Sequence, residues 1–353
     1  MSAVTPAATV DQLARALQPH CVLVHHDFSQ VPEFRLASPN VRFVPEPRRT
    51  GWATFGFVEG IFHALRYAAD HLEFDYLQLL SPTCLPIKPM QAFEAHVAQG
   101  LDAHFGAIDL LADPECFMSV AYRAFTPEGT LRHRVLRRLS SEYFAGSPMR
   151  RDEAGVWIHG GGGGTWCGPL ARSLTRLVAR PEVGRHPFGE DLRPYYGSVW
   201  FGARKHVVRA MADGFGEPRL HAWASRMRIC EEFLVPSLLM RSAPRHGPLN
   251  HYISRFDQAH PGRLELDDLP ALRSSPAFFA RKFPDDPQAP VRREVLARLA
   301  AVAPQADETQ PVPQMPMPRP REAEPVAPLA TDPGPALPEF PGLGALSPGG
   351  LTA

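Results

Sequence analysis

Three short apolar runs, residues 21–24, 41–44 and 76–80, bracket a stretch, residues 52–69, in which Phe57, Ile61, Leu65 and Ala68 recur at helical spacing. Brief apolar runs bounded by polar residues suit buried strands, while a period near 3.6 suits an amphipathic helix. Strand, helix, strand in that order favours crossover connections and an α/β layering. The chain is therefore expected to form an open, mostly parallel central sheet flanked by helices. Ligands would bind off the carboxyl ends of the strands. Residues 91–99 read as a further helix, behind the loop 81–89.

This pattern stops near residue 304. From there to residue 353 Pro311, Pro313, Pro316, Pro318 and Pro320 recur every few residues and no period survives. Such a segment buries too little apolar surface to offset its ordering entropy. Residues 304–353 are expected to be a disordered Pro-rich tail, with the docking of a partner open to it. Residues 1–303 are expected to be one domain: a donor-side half over about 20–113, a variable acceptor-side region over about 114–195, and a catalytic and closing part over 196–303.

Composition closes off several classes. Formal net charge is zero, so no global basic field points to nucleic acid. No apolar run is long enough to span a bilayer, and no basic segment leads into an apolar one at the N-terminus. Five scattered cysteines without a Cys-x-x-Cys pair fit a reduced, cytoplasmic protein. Arginine outnumbers lysine 34 to 3, a bias of GC-rich bacterial codons.

Against that bias Lys282 stands out, in the segment Phe279-Ala280-Arg281-Lys282-Phe283. A lysine is a compact point charge that can sit against a phosphate, or simply a solvated cation. Glu231 and Glu232 open a helix, where acids complement the dipole and can also serve as bases. His25, His26 and Asp27 close the first strand, where a nucleotide base and ribose or a metal could be met. The run Gly160 to Gly164 lacks the Lys-Ser/Thr and the G-x-G-x-x-G context of a phosphate cradle and reads as a loop. The cluster Arg132, His133, Arg134, Arg137 and Arg138 is either a solvated helix face or a contact for an anionic acceptor or lipid.

Six segments in order then resemble the core-2/I-branching β-1,6-N-acetylglucosaminyltransferases, a family that also contains protein xylosyltransferases. Val24-His25-His26-Asp27 looks like Val-His-x-Asp, and the segment from Trp52 to Glu59 is similar to Trp-Gly-x-x-Ser-x-Val-x-Ala. Leu79 to Ile87, with Ser81, looks like Leu-Leu-Ser-Gly-x-Asp-x-Pro-Leu, but Pro82 and Cys84 replace Gly and Asp. Gly197-Ser198-Val199-Trp200-Phe201 matches Gly-Ser-x-Trp-Phe, and Glu231-Glu232-Phe233 matches Asp-Glu-x-Phe. Residues 250–283, with Arg255 and Phe279 to Phe283, are similar to the closing block. Residues 115–195 match poorly.

The resemblance implies a GT-A-type nucleotide-sugar fold and an inverting transfer of GlcNAc or xylose from a UDP-sugar to a saccharide hydroxyl, forming a β-linkage in surface polysaccharide or glycolipid synthesis. It implies Glu232 as base and Lys282 with Arg281 or, more loosely, Arg255 at the diphosphate. His26, Asp27, Trp52 and Ser81 fall on the donor side, and Gly197, Ser198, Trp200 and Glu231 shape the site or meet the acceptor. The chain has no Asp-x-Asp, so cationic side chains rather than a divalent ion are expected to balance the leaving diphosphate, and no cofactor is expected. The protein is expected in the cytoplasm, with peripheral contact at the inner membrane open to it. A catalytically inactive scaffold, and a metal-dependent hydrolase built on His25, His26 and Asp27, are the competing readings.

Overall fold

A computed structural model describes residues 5–161, 168–179, 187–189, 191–257 and 260–302. Met1–Pro304 forms one compact unit. The Pro-rich stretch lies outside the described residues, as do Gly162 to Gly164 of the glycine run.

Helices and strands alternate in a mixed α/β arrangement. The expected strands are present at Val22–Val24, Val41–Phe43 and Tyr76–Gln78, and the helix between them runs over Phe55–His71. The expectation of one mostly parallel sheet is not met. Val22–Val24 does pair in parallel with Val41–Phe43. Tyr76–Gln78, however, pairs antiparallel with Gly202–Arg204, which is itself antiparallel to Ala103–His104. His246–Gly247 completes that sheet in parallel. A third small sheet joins His251–Ile253 in parallel to Phe279–Arg281, which runs antiparallel to Leu85–Pro86. Strand runs of only two or three residues leave edges that segments distant in the chain fill from the opposite direction.

Helix Glu231–Ser242 runs through the middle of the larger core, with Phe233, Leu234, Val235, Leu238 and Leu239 fully buried. Burying each such side chain contributes roughly 1.5–3 kcal/mol. Helix Phe55–His71 lays Val58, Phe62, Leu65 and Ala69 on the same core at three- and four-residue spacing. Phe62 stacks on Phe215 of helix Lys205–Phe215 with ring centres 4.2 Å apart. A second core gathers Leu13, Leu85, Phe93, Phe279 and Phe283 beneath the closing segment. Strand Tyr195–Gly197 connects the first core to the site. The Ser237 hydroxyl accepts the Tyr195 N–H at 2.9 Å. A Cβ on Gly197 would collide with the Gly106 carbonyl just ahead of the neighbouring strand Ala107–Asp109, so only glycine fits there.

Candidate functional site

Two carboxylates sit in the first turn of helix Glu231–Ser242 in different environments. Glu232 keeps about a third of its side chain exposed, and its Oε2 accepts a hydrogen bond from Arg123 Nη1 at 2.6 Å. Arg123 comes from the last turn of helix Pro114–Ala124, whose start is capped by Asp113 accepting the Cys116 N–H. Burial works against the Arg123 charge, but Glu232 together with Tyr196 and Tyr122 more than offsets this and holds its pKa above the ordinary value. Glu231 is buried, and its Oε2 has no hydrogen-bond partner among the described residues. Burial, and then the nearby charge of Glu232, push its pKa up to about 8. One carboxylate is thus an ion-pair partner and the other a protonated acid at neutral pH. Pro236 brings no N–H to the Glu232 carbonyl, so that one carbonyl has no donor in the helix ladder.

Just ahead of the acids the backbone is strained. Ile229 has φ of 54°, an outlying conformation for a β-branched residue, and its N–H meets the carbonyl of Ala53, whose φ is 61°. Next to this contact Arg228 lies 5.2 Å from the ring of Trp52, which is 69% exposed. Trp52 is therefore a largely exposed ring, met by Arg228, one loop away from Glu232.

Thr50, two residues earlier, gives its N–H to Asp27 at 2.7 Å. Asp27 also accepts from the Ser29 N–H, the Ser29 hydroxyl and the Gln30 amide, at 3.0, 2.6 and 2.7 Å. Burial opposes the charge, but these bonds hold its carboxyl well below the usual range. Asp27 is the clasp of this loop. His26 stacks on Phe34 at 4.0 Å and its Nε2–H donates to the Val31 carbonyl at 3.0 Å. His25 Nε2 accepts the Arg48 N–H at 3.0 Å. His25, His26 and Asp27 each turn to a different partner, and among the described residues no group of three such ligands gathers.

The cations of the closing block divide. Arg255 donates to both oxygens of Asp268, at 2.8 and 3.0 Å, and to the Arg263 carbonyl. Arg281 ends strand Phe279–Arg281 and lies 4.5 Å from the centre of the Trp200 ring. Its Nε is buried without a hydrogen-bond partner, and no carboxylate pairs with it among the described residues. Its guanidinium instead meets the thiol of Cys84, and burial lowers its pKa. Cys84 is fully buried, and burial pushes its thiol up. Ser81 closes this loop, its hydroxyl within 3.0 Å of Thr83 Oγ1 and 3.2 Å of Cys84 Sγ. Lys282 is half-buried, and its ammonium has no hydrogen-bond or ion-pair partner among the described residues. Behind them His251 is fully buried, and burial with the Arg281 charge pushes its pKa down to about 3.

Segment 195–201 joins the two ends. Tyr196 interacts with the Arg123–Glu232 pair, and Trp200, four residues on, stacks on Arg281. Ser198 Oγ accepts the Trp200 N–H at 3.2 Å and fixes the turn between them. The contacts fall into separate groups that chain connectivity links: Thr50 with Asp27, Trp52 with Arg228, whose own ion pair is with Glu128 at 2.9 Å, Glu232 with Arg123 and Tyr196, and Trp200 with Arg281. Arg255 stands apart from these groups, tied into its own ion pair. Arg123, Tyr196 and Arg228 escaped the sequence reading. The one available signal was a single charge, Arg123, in the otherwise apolar or neutral run 117–125. No protein-family model matches the chain, and no match to it was found among curated proteins.

Proposed function

We propose that the chain is an inverting glycosyltransferase of the GT-A type that takes a sugar, GlcNAc or xylose, from a UDP-sugar without a divalent ion. The acceptor is a saccharide hydroxyl of a surface polysaccharide or glycolipid. The observation that carries this reading is the adjacent pair Arg281 and Lys282, cations without a carboxylate partner among the described residues, beside the loop of Ser81 and Cys84. An uncompensated, partly buried cation is costly unless a ligand supplies the anion. A diphosphate supplies it, and its negative charge grows as the sugar leaves.

Glu232 is the base in this scheme. Arg123 grips one of its oxygens and sets its orientation, and the acceptor hydroxyl gives up its proton to the carboxylate as it attacks the anomeric carbon. The C–O bond to the diphosphate breaks on the opposite face, and configuration inverts. Glu231, protonated and buried, keeps a second negative charge away from the base. Trp52 offers a stacking face for the uracil, above a loop that Asp27 clasps, while Gly197, Ser198 and Trp200 hold the acid and cation ends in register. His26 supports the first strand from inside the fold.

UDP release from a panel of UDP-sugars, with and without saccharide acceptors, tests the reading. Glu232→Gln is expected to cut transfer by about 10²–10⁴, the usual effect of removing a general base, while UDP binding stays near wild type. Transfer within about threefold of wild type would remove Glu232 as base. Failure of every UDP-sugar to bind or turn over would leave the inactive-scaffold reading in its place, which Cys84 at the family's Asp position favours.

A further inference from the structure

Two helices of the middle region carry outer faces that the site does not use. Leu131–Tyr143 buries His133, Leu136, Ser140 and Tyr143, and Gly168–Ala179 buries Ala171, Thr175 and Ala179. On the second helix Leu170, Leu174 and Leu177 follow i, i+4, i+7 spacing and form one ridge away from the buried residues. They are 62%, 40% and 67% exposed. Leu131 and Val135 make a shorter exposed ridge on the first helix.

Arginines accompany both ridges. Arg132, Arg134, Arg137 and Arg138 lie on the first helix and Arg172 and Arg176 on the second, against one acid, Glu142, which pairs with Arg138 at 2.6 Å. Six cations less one anion give a formal charge of +5 over the two helices. Arg172 donates to the Tyr143 hydroxyl at 3.0 and 2.9 Å, which ties the helices together. Tyr143 and Ala171 also share a buried cluster with Met118 of helix Pro114–Ala124.

Leucine ridges in water mark a surface that something covers. A second copy of the same face would bring arginines against arginines. Nucleic acid would satisfy the arginines and leave the leucines wet. An anionic bilayer satisfies both, because guanidinium groups meet headgroup phosphates while the leucines enter the acyl boundary. We propose that these two helices are a docking surface for a membrane rich in anionic phospholipid. The proposal goes beyond glycosyl transfer and is read without any sugar donor.

Cosedimentation of the full chain with vesicles of phosphatidylcholine and phosphatidylglycerol tests it, with pure phosphatidylcholine as the comparison. Wild type is expected to bind the mixed vesicles, to bind the neutral ones poorly, and to be released by added salt. Replacing Arg134, Arg137 and Arg176 together by Gln is expected to lower partitioning roughly a hundredfold, and Leu170, Leu174 and Leu177 together by Ser at least about tenfold. Thermal melting checks that each variant folds. Should the leucine variant fail, the arginine variant, altered at exposed positions, decides alone. Absence of binding to anionic vesicles, or binding that the variants leave unchanged, would overturn the proposal. So would a wild-type dimer that the leucine variant turns into a monomer, or tight binding of a DNA duplex that only the arginine variant loses.

Discussion

The acid end and the cation end of the proposed site treat charge in opposite ways. At the acid end Glu232 meets Arg123 at 2.6 Å, and Glu231 holds its proton at neutral pH, so the group is balanced within the protein. At the cation end Arg281 and Lys282 are neighbours, while burial keeps the Cys84 thiol and the His251 imidazole uncharged. Nothing among the described residues cancels these two positive charges. A balanced group contributes to folding by itself, whereas an uncompensated one is stabilised chiefly when an anion arrives. Arg255 makes the same point within a few residues of chain. Paired with Asp268, it serves the closing segment and has less to offer a phosphate.

The balance at the acid end depends on one proton, and removing it is the largest effect expected. Glu231 has its pKa raised from 4.5 to about 8 in the folded protein. A raised value means that the contribution is fully present below the unfolded pKa and is lost as pH rises through the folded one. The loss amounts to up to about 4–5 kcal/mol across that window. Glu231→Gln is expected to flatten the decline in stability between pH 5 and pH 9 seen for wild type in urea melts. Parallel declines in the two proteins would break the assignment of that proton to Glu231.

Next in size is the ion pair. Arg123→Met would strand Glu232 without its cation, at about 2–4 kcal/mol, somewhat below the cost for a fully buried pair because Glu232 keeps contact with solvent. Adding Glu232→Gln to Arg123→Met should return much of that stability, since no charge is then left unpaired. If the two substitutions simply add in equilibrium unfolding, the pair is not the unit that the geometry suggests.

The same contrast explains what could be read from sequence. Element types along residues 21–99 were legible because periodicity is local: the helix read over 52–69 lies at Phe55–His71, and that read over 91–99 at Met90–Val97. The sheet was not legible, because pairing joins segments about a hundred residues apart or more, as when Gly202–Arg204 inserts between Tyr76–Gln78 and Ala103–His104. Lys282 stood out by composition, as one of three lysines, and Arg281 entered with it through the resemblance of the closing block. The partner of Glu232 could not, because Arg123 reaches it across 109 residues of chain. Asp27 lies three residues past strand Val22–Val24, and of the four hydrogen bonds that occupy it three come from the adjacent Ser29 and Gln30, while the fourth needs Thr50 to be folded back onto it.

The cation end should be sensitive to ligand and nearly indifferent in stability, which is the smallest but most specific of the expected effects. Lys282→Ala removes a charge that no described residue shares, so unfolding should shift little. Binding of UDP should weaken by about ten- to a hundredfold, in line with roughly 1.5–3 kcal/mol for a hydrogen bond to a charged group. Uridine, which lacks the diphosphate, should bind both proteins alike. Lys282→Arg should restore UDP binding only in part, because a planar fork does not sit where a point charge did. Calorimetry with UDP and uridine separates these outcomes, and equal losses for both ligands would show that Lys282 acts on the fold rather than on phosphate. Turnover should also survive EDTA, since the sequence has no Asp-x-Asp and the diphosphate would be met by Lys282 and Arg281. Turnover lost to chelation and restored by Mn²⁺ would mean that the unbalanced charge at this end serves another purpose.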